Sequence, residues 1–384
     1  MLLTGSGRLI PAGTSPWAIQ VRDGRIAWIG PQAGAPNDDE RVDLGSALVT
    51  PGLVDSHTHP VFAGDRSDEA AARLEGAPYS GGGILRTVAA TREADDATLE
   101  ALCEARLLAA LAAGTTTIEC KSGYGLSLEE ELRHLRIIRR VAGRLPVRVV
   151  ATLLGAHAVP DGATAAEHAE RVADEMIPAV AAEGLAAFVD VFTDAGFYDL
   201  AATERIGRAA IDAGLGLRLH AEQLARTGAA ELGARLGAAS VDHLEQLDEA
   251  GVAAIARTET VATVLPAPAI VLRDHLPPAR ALLDAGATVA LASDANAGTY
   301  SGFGTMPLVI GLGATLLGMS ATEALTAATR GGSRALQLPD VGTLDVGAVA
   351  DLVAWDTDHE GAFALRLGAV RPIRTWIGGV EVAF

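Results

Sequence analysis

The sequence has very little cysteine and no long hydrophobic run. Cys103 and Cys120 are the only two cysteines among 384 residues. They do not form a Cys-x-x-Cys pair, which excludes a disulfide-bonded scaffold and a cysteine-based zinc knot. No run of about eighteen apolar residues is present, and residues 1–11 lack a basic stretch followed by a long apolar core. We therefore expect neither a membrane span nor an export signal, and we predict a cytoplasmic protein.

Basic charge is also scarce. Lysine and arginine together number 30 against 48 aspartates and glutamates, which gives a formal net charge of −18. A surface of this sign repels phosphate backbones and anionic lipid headgroups, so we expect no nucleic acid or membrane partner. The sequence is 49% hydrophobic and 20% charged, which is typical of a globular rather than a disordered chain.

Short β-rich runs alternate with helical patterns along most of the chain. Eight such runs occur, at residues 48–55, 115–120, 147–154, 188–192, 215–219, 239–243, 261–265 and 288–292. Capping patterns mark helices between them, as at Ser127 with Glu130 and at Thr164 with Glu167, and Gly114 follows another helix. Eight strands alternating with helices are typical of a parallel barrel. The sequence therefore predicts an α/β fold, a distorted (β/α)8 TIM barrel.

The two ends of the chain have a different pattern. Asp23-Gly24 lies between apolar runs at residues 19–21 and 26–29, which indicates a β-hairpin. The tail returns to strand character at residues 352–355 and 375–377. We therefore predict a small β-sandwich domain built from both termini, residues 1–50 plus 341–384, beside a barrel of residues 51–340.

Polar side chains follow the predicted strands at the end where parallel barrels form their active sites. The first are His57 and His59, which come just after an apolar run and share a face because side chains alternate along a strand. The others are Lys121, His157, His220, His243 and Asp294. A single histidine of this kind is more often a hydrogen-bonded core or loop residue, but the set converges on one mouth. The remaining histidines, His134, His168, His275 and His359, lie in polar or helical surroundings, and we expect them to be solvated.

The converging set has the composition of a hydrolytic metal site. His57, His59, His220 and Asp294 supply the three or four nitrogen and oxygen ligands that a borderline metal takes, with one position left for water. A metal there would lower the pKa of its water to about 7. His243 is a candidate to polarise the attacked carbonyl, and Asp294 is a candidate to take the proton from water. The rival interpretation makes Asp294 a loop-capping residue.

This arrangement resembles the amidohydrolase superfamily, whose barrel members carry His-x-His after strand one, His after strands five and six, and Asp after strand eight. Within it, the chain resembles the imidazolonepropionase family in separated segments that keep the family's order. They are residues 57–66, 81–88, 119–126, 154–160 and 219–224, and residues 342–352 resemble the superfamily's return into its β-sandwich. The resemblance implies hydrolysis of the cyclic amide of 4-imidazolone-5-propanoate to N-formimidoyl-L-glutamate in histidine degradation. The superfamily inclines toward dimers, which makes a homodimer one possible state, but no sequence feature identifies an interface.

The resemblance assigns further residues to the substrate, a small molecule with a propionate tail. They are Arg66, Tyr124, His157, Gln223, Asn296, Gly298 and Thr299. The planar guanidinium of Arg66 suits a carboxylate, whereas the alternative is a surface ion pair with Asp65 or Glu69. Tyr124, between two glycines, is either a pocket wall or an ordinary packing residue. Asn296 and Gly298 also fit simple turn roles.

Two positions refine the chemistry. Many relatives in the superfamily have a bridging lysine at the end of strand four, but residues 188–194 contain none, so we expect one metal ion per subunit, Zn²⁺ or Fe³⁺. Deaminases of the superfamily usually have glutamate where Gln223 stands, and an amide cannot shuttle a proton at neutral pH. We expect Glu222 to face away from the site.

Three segments depart from the family pattern. They are Tyr79-Ser80, residues 266–271 and Asn296-Ala297-Gly298, and we expect all three on loops at the mouth of the barrel. These departures leave open two alternatives, an amidohydrolase of another small cyclic amide or heterocycle and a non-catalytic barrel that binds a ligand.

Overall fold

The computed structural model describes residues 1–10, 13, 16–77 and 83–383. Its strands form one eight-stranded sheet and two four-stranded sheets within these residues. The strands are β1 (Leu2–Gly5), β2 (Trp17–Arg22), β3 (Arg25–Pro31), β4 (Arg41–Asp43), β5 (Val49–Pro51), β6 (Leu53–Asp55), β7 (Thr115–Lys121), β8 (Arg148–Ala156), β9 (Phe188–Thr193), β10 (Gly216–Ala221), β11 (Ser240–His243), β12 (Val261–Val264), β13 (Val289–Leu291), β14 (Leu352–Trp355), β15 (Pro372–Ile377) and β16 (Val380–Val382).

The large sheet is a nearly closed barrel of parallel strands in the order β6 to β13, which confirms the predicted fold class. The first and last strands are joined by the segments that follow them. Thr58 forms an isolated parallel bridge with Ala295, His59 N–H donates to the Ala295 carbonyl at 2.9 Å, and Asp294 N–H donates to the His57 carbonyl at 3.0 Å. We call this pairing of residues 57–59 with residues 294–295 the closing seam.

The two smaller sheets form the sandwich. Their strand orders are β3-β2-β1-β4 and β16-β15-β14-β5, so strands from both ends of the chain take part. Leu3, Trp17, Ile19, Leu352 and Trp376 share one apolar core between the sheets. The predicted hairpin joins β2 to β3, and both turn residues, Asp23 and Gly24, have positive φ. The domain boundaries at residues 50, 51, 340 and 341 stay a prediction.

One sequence-based strand was wrong. Residues 48–55 are not a single barrel strand, because the chain leaves the sandwich at Pro51 and enters the barrel at Leu53. Gly52 lies at the crossing, where an added Cβ would stand 2.0 Å from Thr116 Oγ1. His57 and His59 consequently lie after β6, and the closing seam, rather than a strand, makes their side chains face the same way.

The helices lie between the barrel strands and after the last of them. They are α1 (Ser67–Leu74), α2 (Gly83–Glu93), α3 (Asp96–Ala112), α4 (Leu128–Ala142), α5 (Ala165–Arg171), α6 (Ile177–Glu183), α7 (Leu200–Asp212), α8 (Ala229–Leu236), α9 (Glu249–Ile255), α10 (Pro266–Leu272), α11 (Ala279–Asp284), α12 (Met306–Leu316), α13 (Ala321–Thr326), α14 (Gly332–Ala335) and α15 (Ala362–Leu365). Short π-helical segments, Val172–Met176 and Ala327–Gly331, follow α5 and α13. Gln32–Gly34 is a 3₁₀ turn. None of the helices within the described ranges is both long and apolar enough to cross a membrane.

Three further expectations need correction or fall outside the structure. Residues 266–271, expected on a loop, belong to helix α10, where Pro266 occupies a helix-start position that needs no N–H donor. His134 and His168, expected to be solvated, are buried on the inner faces of α4 and α5, whereas His275 and His359 are exposed. Tyr79, Ser80, Gly81 and Gly82 lie outside the described residues.

Candidate active site

The closing seam and β10 bring four donor side chains to one point. His57 Nε2 lies 3.2 Å from His220 Nε2 and 3.3 Å from His59 Nε2. Asp294 Oδ1 lies 3.5 Å from His57 Nε2 and 3.4 Å from His59 Nε2. All four side chains are at most 3% exposed. The residues that the sequence predicted as metal ligands are thus neighbours in space.

The hydrogen bonds at Nδ1 of His57 and His220 determine whether the Nε2 atom of each ring carries a hydrogen or a lone pair. His57 Nδ1 lies 2.7 Å from Asp242 Oδ2, and His220 Nδ1 lies 3.1 Å from Asp190 Oδ1. Burial opposes ionisation of Asp190, but His220 and Lys121 hold its pKa well below the usual range. An ionised carboxylate only accepts hydrogen bonds, so the Nδ1 atom carries the hydrogen. Asp242 Oδ2 likewise accepts from a cation, Arg218 Nη2, at 2.9 Å, so the Nε2 atoms of both rings carry lone pairs.

Those lone pairs face each other, which fits a bound cation. Two acceptor nitrogens 3.2 Å apart repel unless a positive charge lies between them. A tetrahedral ion with metal–nitrogen bonds of about 2.0–2.1 Å would place its ligand atoms about 3.4 Å apart, close to the separations seen here. His57 also groups with His243 and Asp294 at metal-binding spacing. The donor set therefore fits a metal ion.

Below the donor atoms lies a buried network of charges that the sequence did not reveal. Lys121 Nζ donates to Glu119 Oε1 at 2.8 Å and to Asp190 Oδ2 at 2.7 Å. Arg218 Nη2 donates to Asp242 Oδ2 at 2.9 Å, and its Nε lies 3.1 Å from Glu119 Oε1. All five side chains are completely buried. The two carboxylates that orient His57 and His220 are therefore fixed by two cations joined through Glu119.

His243 lies across the site at the end of β11, with a positive φ of 83°. Its Nε2 is 4.0 Å from Asp294 Oδ2, and its Nδ1 is 3.5 Å from Glu245 Oε1. Burial alone would lower the pKa of His243, but the nearby carboxylates, first Glu245 and then Asp294, raise it to about 9. The 4.0 Å distance places His243 Nε2 opposite the second carboxylate oxygen of Asp294, Oδ2.

A small cavity opens above these groups and receives most of the predicted substrate residues. Its lining comprises His59, Arg66, Ile84, Tyr124, His157, Phe192, His220, Gln223, His243, Asp294, Asn296 and Thr299. Gly298 does not line it but lies against Arg66, where an added Cβ would stand 2.0 Å from Nη1. Ile84 and Phe192 were missed by sequence reasoning. Phe192 follows Asp190 by two residues on β9, so strand alternation places both side chains toward the barrel interior.

Arg66 combines the two interpretations offered for it. Its Nε and Nη2 donate to the carboxylate of Glu69 at 2.8 and 2.7 Å, so an ion pair exists. The pair is not a surface pair, because the Arg66 side chain is 4% exposed. Added Cβ atoms at Gly83 and Gly298 would stand 2.1 and 2.0 Å from its guanidinium nitrogens. Glu69 and the two glycines therefore fix the guanidinium at the cavity wall.

Two mouth residues are held by backbone contacts. His157 Nδ1 lies 2.9 Å from the Gly123 carbonyl, which only accepts, so this nitrogen carries the hydrogen. Gln223 N–H donates to Asp194 Oδ2 at 2.9 Å, and Leu224 N–H donates to the same oxygen at 2.7 Å. Glu222, which we expected to face away from the site, is absent from the cavity lining. Its carboxylate accepts from backbone N–H groups such as that of Gly228 at 2.9 Å.

The loop after Asp294 forms a turn and also lines part of the cavity. Asn296 Oδ1 accepts from Gly298 N–H at 2.7 Å and from Thr299 N–H at 2.9 Å, which is the turn role considered for Asn296. Asn296 and Thr299 also line the cavity. Thr299 Oγ1 donates to Asp294 Oδ2 at 3.4 Å, so this turn also orients the carboxylate.

Comparison with known proteins places this architecture in a family. The family model described as "Amidohydrolase family" matches residues 48–382. The imidazolonepropionase of Rhizorhabdus wittichii is 45% identical over 370 residues, covering 94% of this chain and 92% of that protein. The imidazolonepropionase of Ectopseudomonas mendocina is 47% identical over 369 residues, covering 92% and 90%.

A solved structure shares the fold. A variant of atrazine chlorohydrolase from Arthrobacter aurescens, complexed with zinc and atraton, has a TM-score of 0.78 and 18% identity to this chain. The match covers 100% of this chain and 95% of that one. The family matches and the eight-stranded barrel lead to the same conclusion: this chain belongs to the amidohydrolase family and, within it, to the imidazolonepropionases.

Proposed function

We propose that this protein hydrolyses the ring amide of 4-imidazolone-5-propanoate to N-formimidoyl-L-glutamate, using one zinc or iron ion per subunit. The proposal rests on the facing lone pairs of His57 and His220 beside the Asp294 carboxylate. The family relationship supports the same substrate, because curated relatives with this activity in their name cover more than nine tenths of the chain. Location in the cytoplasm and assembly as a homodimer stay predictions.

His57, His59, His220 and Asp294 would hold the ion, which would supply Lewis acidity and a water of lowered pKa. Asp294 then has two tasks at its two oxygens, since Oδ1 faces the histidine nitrogens and Oδ2 faces His243. Asp294 takes a proton from the attacking water while the oxygen of that water adds to the ring carbonyl carbon. The carbon–nitrogen amide bond breaks, and the proton passes from Asp294 to the ring nitrogen that leaves.

His243 stabilises the charge that develops on the carbonyl oxygen. Its ring is buried beside the same cavity, and its Nε2 is 4.0 Å from Asp294 Oδ2. A donor fixed at this point interacts more strongly as the oxygen becomes negative, which lowers the barrier. His243 and Asp294 therefore act on the two ends of the same polarised amide group.

The remaining cavity residues suit a flat polar ring with an acidic tail. Arg66 offers the positive charge for the propionate, although Glu69 occupies two of its nitrogens. Gln223 and the unprotonated Nε2 of His157 are available for hydrogen bonds to ring atoms. Phe192 stacks on Phe197 with ring centroids 3.9 Å apart, which fixes an apolar wall for the ring.

The test is loss of imidazolone absorbance on adding protein purified with its metal. We expect turnover in the wild type, loss of at least about 10³-fold in His220→Ala, as expected when a chemical step loses an essential group, and full activity in His275→Ala, which changes an exposed histidine. Metal analysis should find about one equivalent in the wild type and His275→Ala and much less in His220→Ala. A metal-loaded wild type that leaves this substrate unchanged but opens another cyclic amide would overturn the substrate assignment.

A further inference from the structure

Glu131 is a buried carboxylate that the proposed chemistry does not use. It lies in the first turns of α4, after Glu129 and Glu130, three acidic residues in a row that complement a helix N-terminus. The three differ in burial, because Glu129 is exposed, Glu130 is half-buried and Glu131 is inaccessible to solvent. A carboxylate without contact to water requires partners.

The partners of Glu131 are backbone N–H groups of the loop that joins β7 to α4. Oε2 accepts from Gly123 N–H at 3.0 Å. Oε1 accepts from Gly125 N–H at 2.9 Å and from Leu126 N–H at 2.7 Å. One side chain therefore fixes three of the four residues from 123 to 126.

The same loop has a backbone shape that needs such support. Gly123 has φ of 104° and Leu126 has φ of 54°, a left-handed conformation that a leucine rarely adopts. An added Cβ at Gly125 would stand 2.8 Å from Glu131 Oε1 and equally close to backbone atoms of Glu130 and Glu131, so the glycine lets the loop pack closely against the start of α4. Residues in unfavourable conformations persist when surrounding contacts over-determine them.

Two cavity residues depend on the position of this loop. Tyr124 lies between the anchored glycines, and its ring centroid is 5.1 Å from that of His157. The Gly123 carbonyl accepts from His157 Nδ1, which leaves the lone pair of that ring on Nε2. Moving Gly123 would therefore change both the place of Tyr124 and the hydrogen-bonding role of His157.

We propose that Glu131 is a positioning residue for substrate binding, which acts by holding the residue 123–126 loop so that Tyr124 and His157 present fixed groups to the heterocycle. This inference rests on the proposed function for the role of those two residues. Glu131 does not contact the donor atoms around His57, so its effect falls on substrate binding rather than on metal binding.

The experiment compares Glu131→Gln with Glu130→Gln. The glutamine has a single acceptor oxygen, so at least one of the three N–H groups faces an amide N–H instead. We expect KM to rise about tenfold or more, as for loss of a hydrogen bond to a charged group, with kcat and metal content nearly unchanged. Glu130 is a matched control because it pairs with Arg133 on the helix surface, and its amide variant should keep wild-type KM.

A second variant covers the case in which Glu131→Gln folds poorly. Glu131→Asp keeps a buried carboxylate but shortens the side chain by one methylene, which draws the oxygens away from the three N–H groups, and we expect the same rise in KM. Crystal structures add a readout independent of turnover. In both variants residues 123–126 should shift and the His157 contact to the Gly123 carbonyl should be lost.

The outcomes are separable. An unmoved loop in both variants, or a KM equal to that of Glu130→Gln, overturns the positioning role. Equal losses in kcat and metal content would also overturn it, because they indicate a general structural defect. A wild type inactive on the imidazolone contradicts the proposed function only, and the crystal structures then still decide the role of Glu131.

Discussion

Lys121 shows how strongly one position constrains residue type. It is the only lysine of the chain, and the other 29 of the 30 basic residues are arginines. Lysine is rarely buried unless paired, yet this one is completely buried between Glu119 and Asp190. A compact ammonium group with three donors suits two carboxylates at one point, whereas a planar guanidinium needs more room. The site therefore explains the exception.

Replacing Lys121 should weaken both the fold and the metal site. In Lys121→Met the buried carboxylates of Glu119 and Asp190 lose their shared cation, and breaking a buried pair costs about 3–5 kcal/mol. Asp190 also orients His220, so metal retention should fall. The measurements are urea unfolding and metal content after dialysis.

Arg86→Met provides the control for Lys121→Met, because the Arg86 ion pair with Asp68 is exposed on both sides. We expect it to change neither quantity. Wild-type metal retention in Lys121→Met would contradict a link from the lysine to the metal site.

At the scale of elements, helix α4 has acidic residues in its first turn and an apolar face that packs inward. Ser127 caps the helix by accepting from Glu130 N–H, but the Glu130 side chain pairs with Arg133 and does not complete the capping box predicted from the sequence. Leu135, Ile138 and Val141 pack inward. His134 lies on the same inner face, and neither of its ring nitrogens has a hydrogen-bond partner among the described residues. A helix face can thus bury a titratable group by geometry alone.

Burial makes His134 a source of acid sensitivity. Burial, followed by the positive charges of Arg133 and Arg92, lowers the pKa of His134 to about 3 from its ordinary 6.5. Between these values the unfolded chain binds more protons, so stability is full above about pH 6.5 and falls as the pH drops. The loss at pH 5 should be about 2 kcal/mol.

The measurement is the urea unfolding free energy at pH 7.5 and pH 5. In His134→Leu the difference between the two pH values should shrink by about 2 kcal/mol. His275→Leu, a change at an exposed histidine, should behave as the wild type does. A pH dependence that is the same in all three proteins would show that His134 does not titrate on unfolding.

At the scale of the whole molecule, the site lies where the barrel closes. His57 and His59 follow β6, and Asp294 follows β13. His220 belongs to β10, which lies across the barrel from these two strands. Near the donors, two backbone hydrogen bonds of the closing seam join the two ends of the sheet, and Ser293 donates to the Asp55 carboxylate beside them. A cation bound by these four side chains would therefore cross-link the barrel.

Removing the metal should consequently loosen the barrel. A ligand that binds only the folded state stabilises it by about 4 kcal/mol when its free concentration is 1,000 times Kd. We expect a chelator to lower Tm and to speed hydrogen exchange at residues 57–59 and 293–296 more than in the sandwich sheets. Added zinc should reverse both effects. Unchanged exchange at the seam in metal-free protein would contradict the cross-link.

The sequence predicted those parts of the molecule that depend on local patterns. Alternating periods and capping residues indicated eight barrel strands, and the ends of those strands carry His220 and His243 as expected. The hairpin at Asp23-Gly24 needed only its own turn residues. The order of the motif segments along the chain was also enough to suggest the family, because recognising these segments requires no knowledge of their three-dimensional contacts.

Tertiary structure alone decided what distant segments do to one another. The sequence by itself determined the barrel and the family and predicted the donor residues, since each depends on neighbouring residues or on their order. Packing decided that Lys121 joins Glu119 to Asp190, that His134 is buried, that Arg66 is enclosed, and that Glu131 rather than Glu130 holds the mouth loop. Such contacts cross the barrel or join loops to helices, and burial removes the water that would otherwise satisfy those charges.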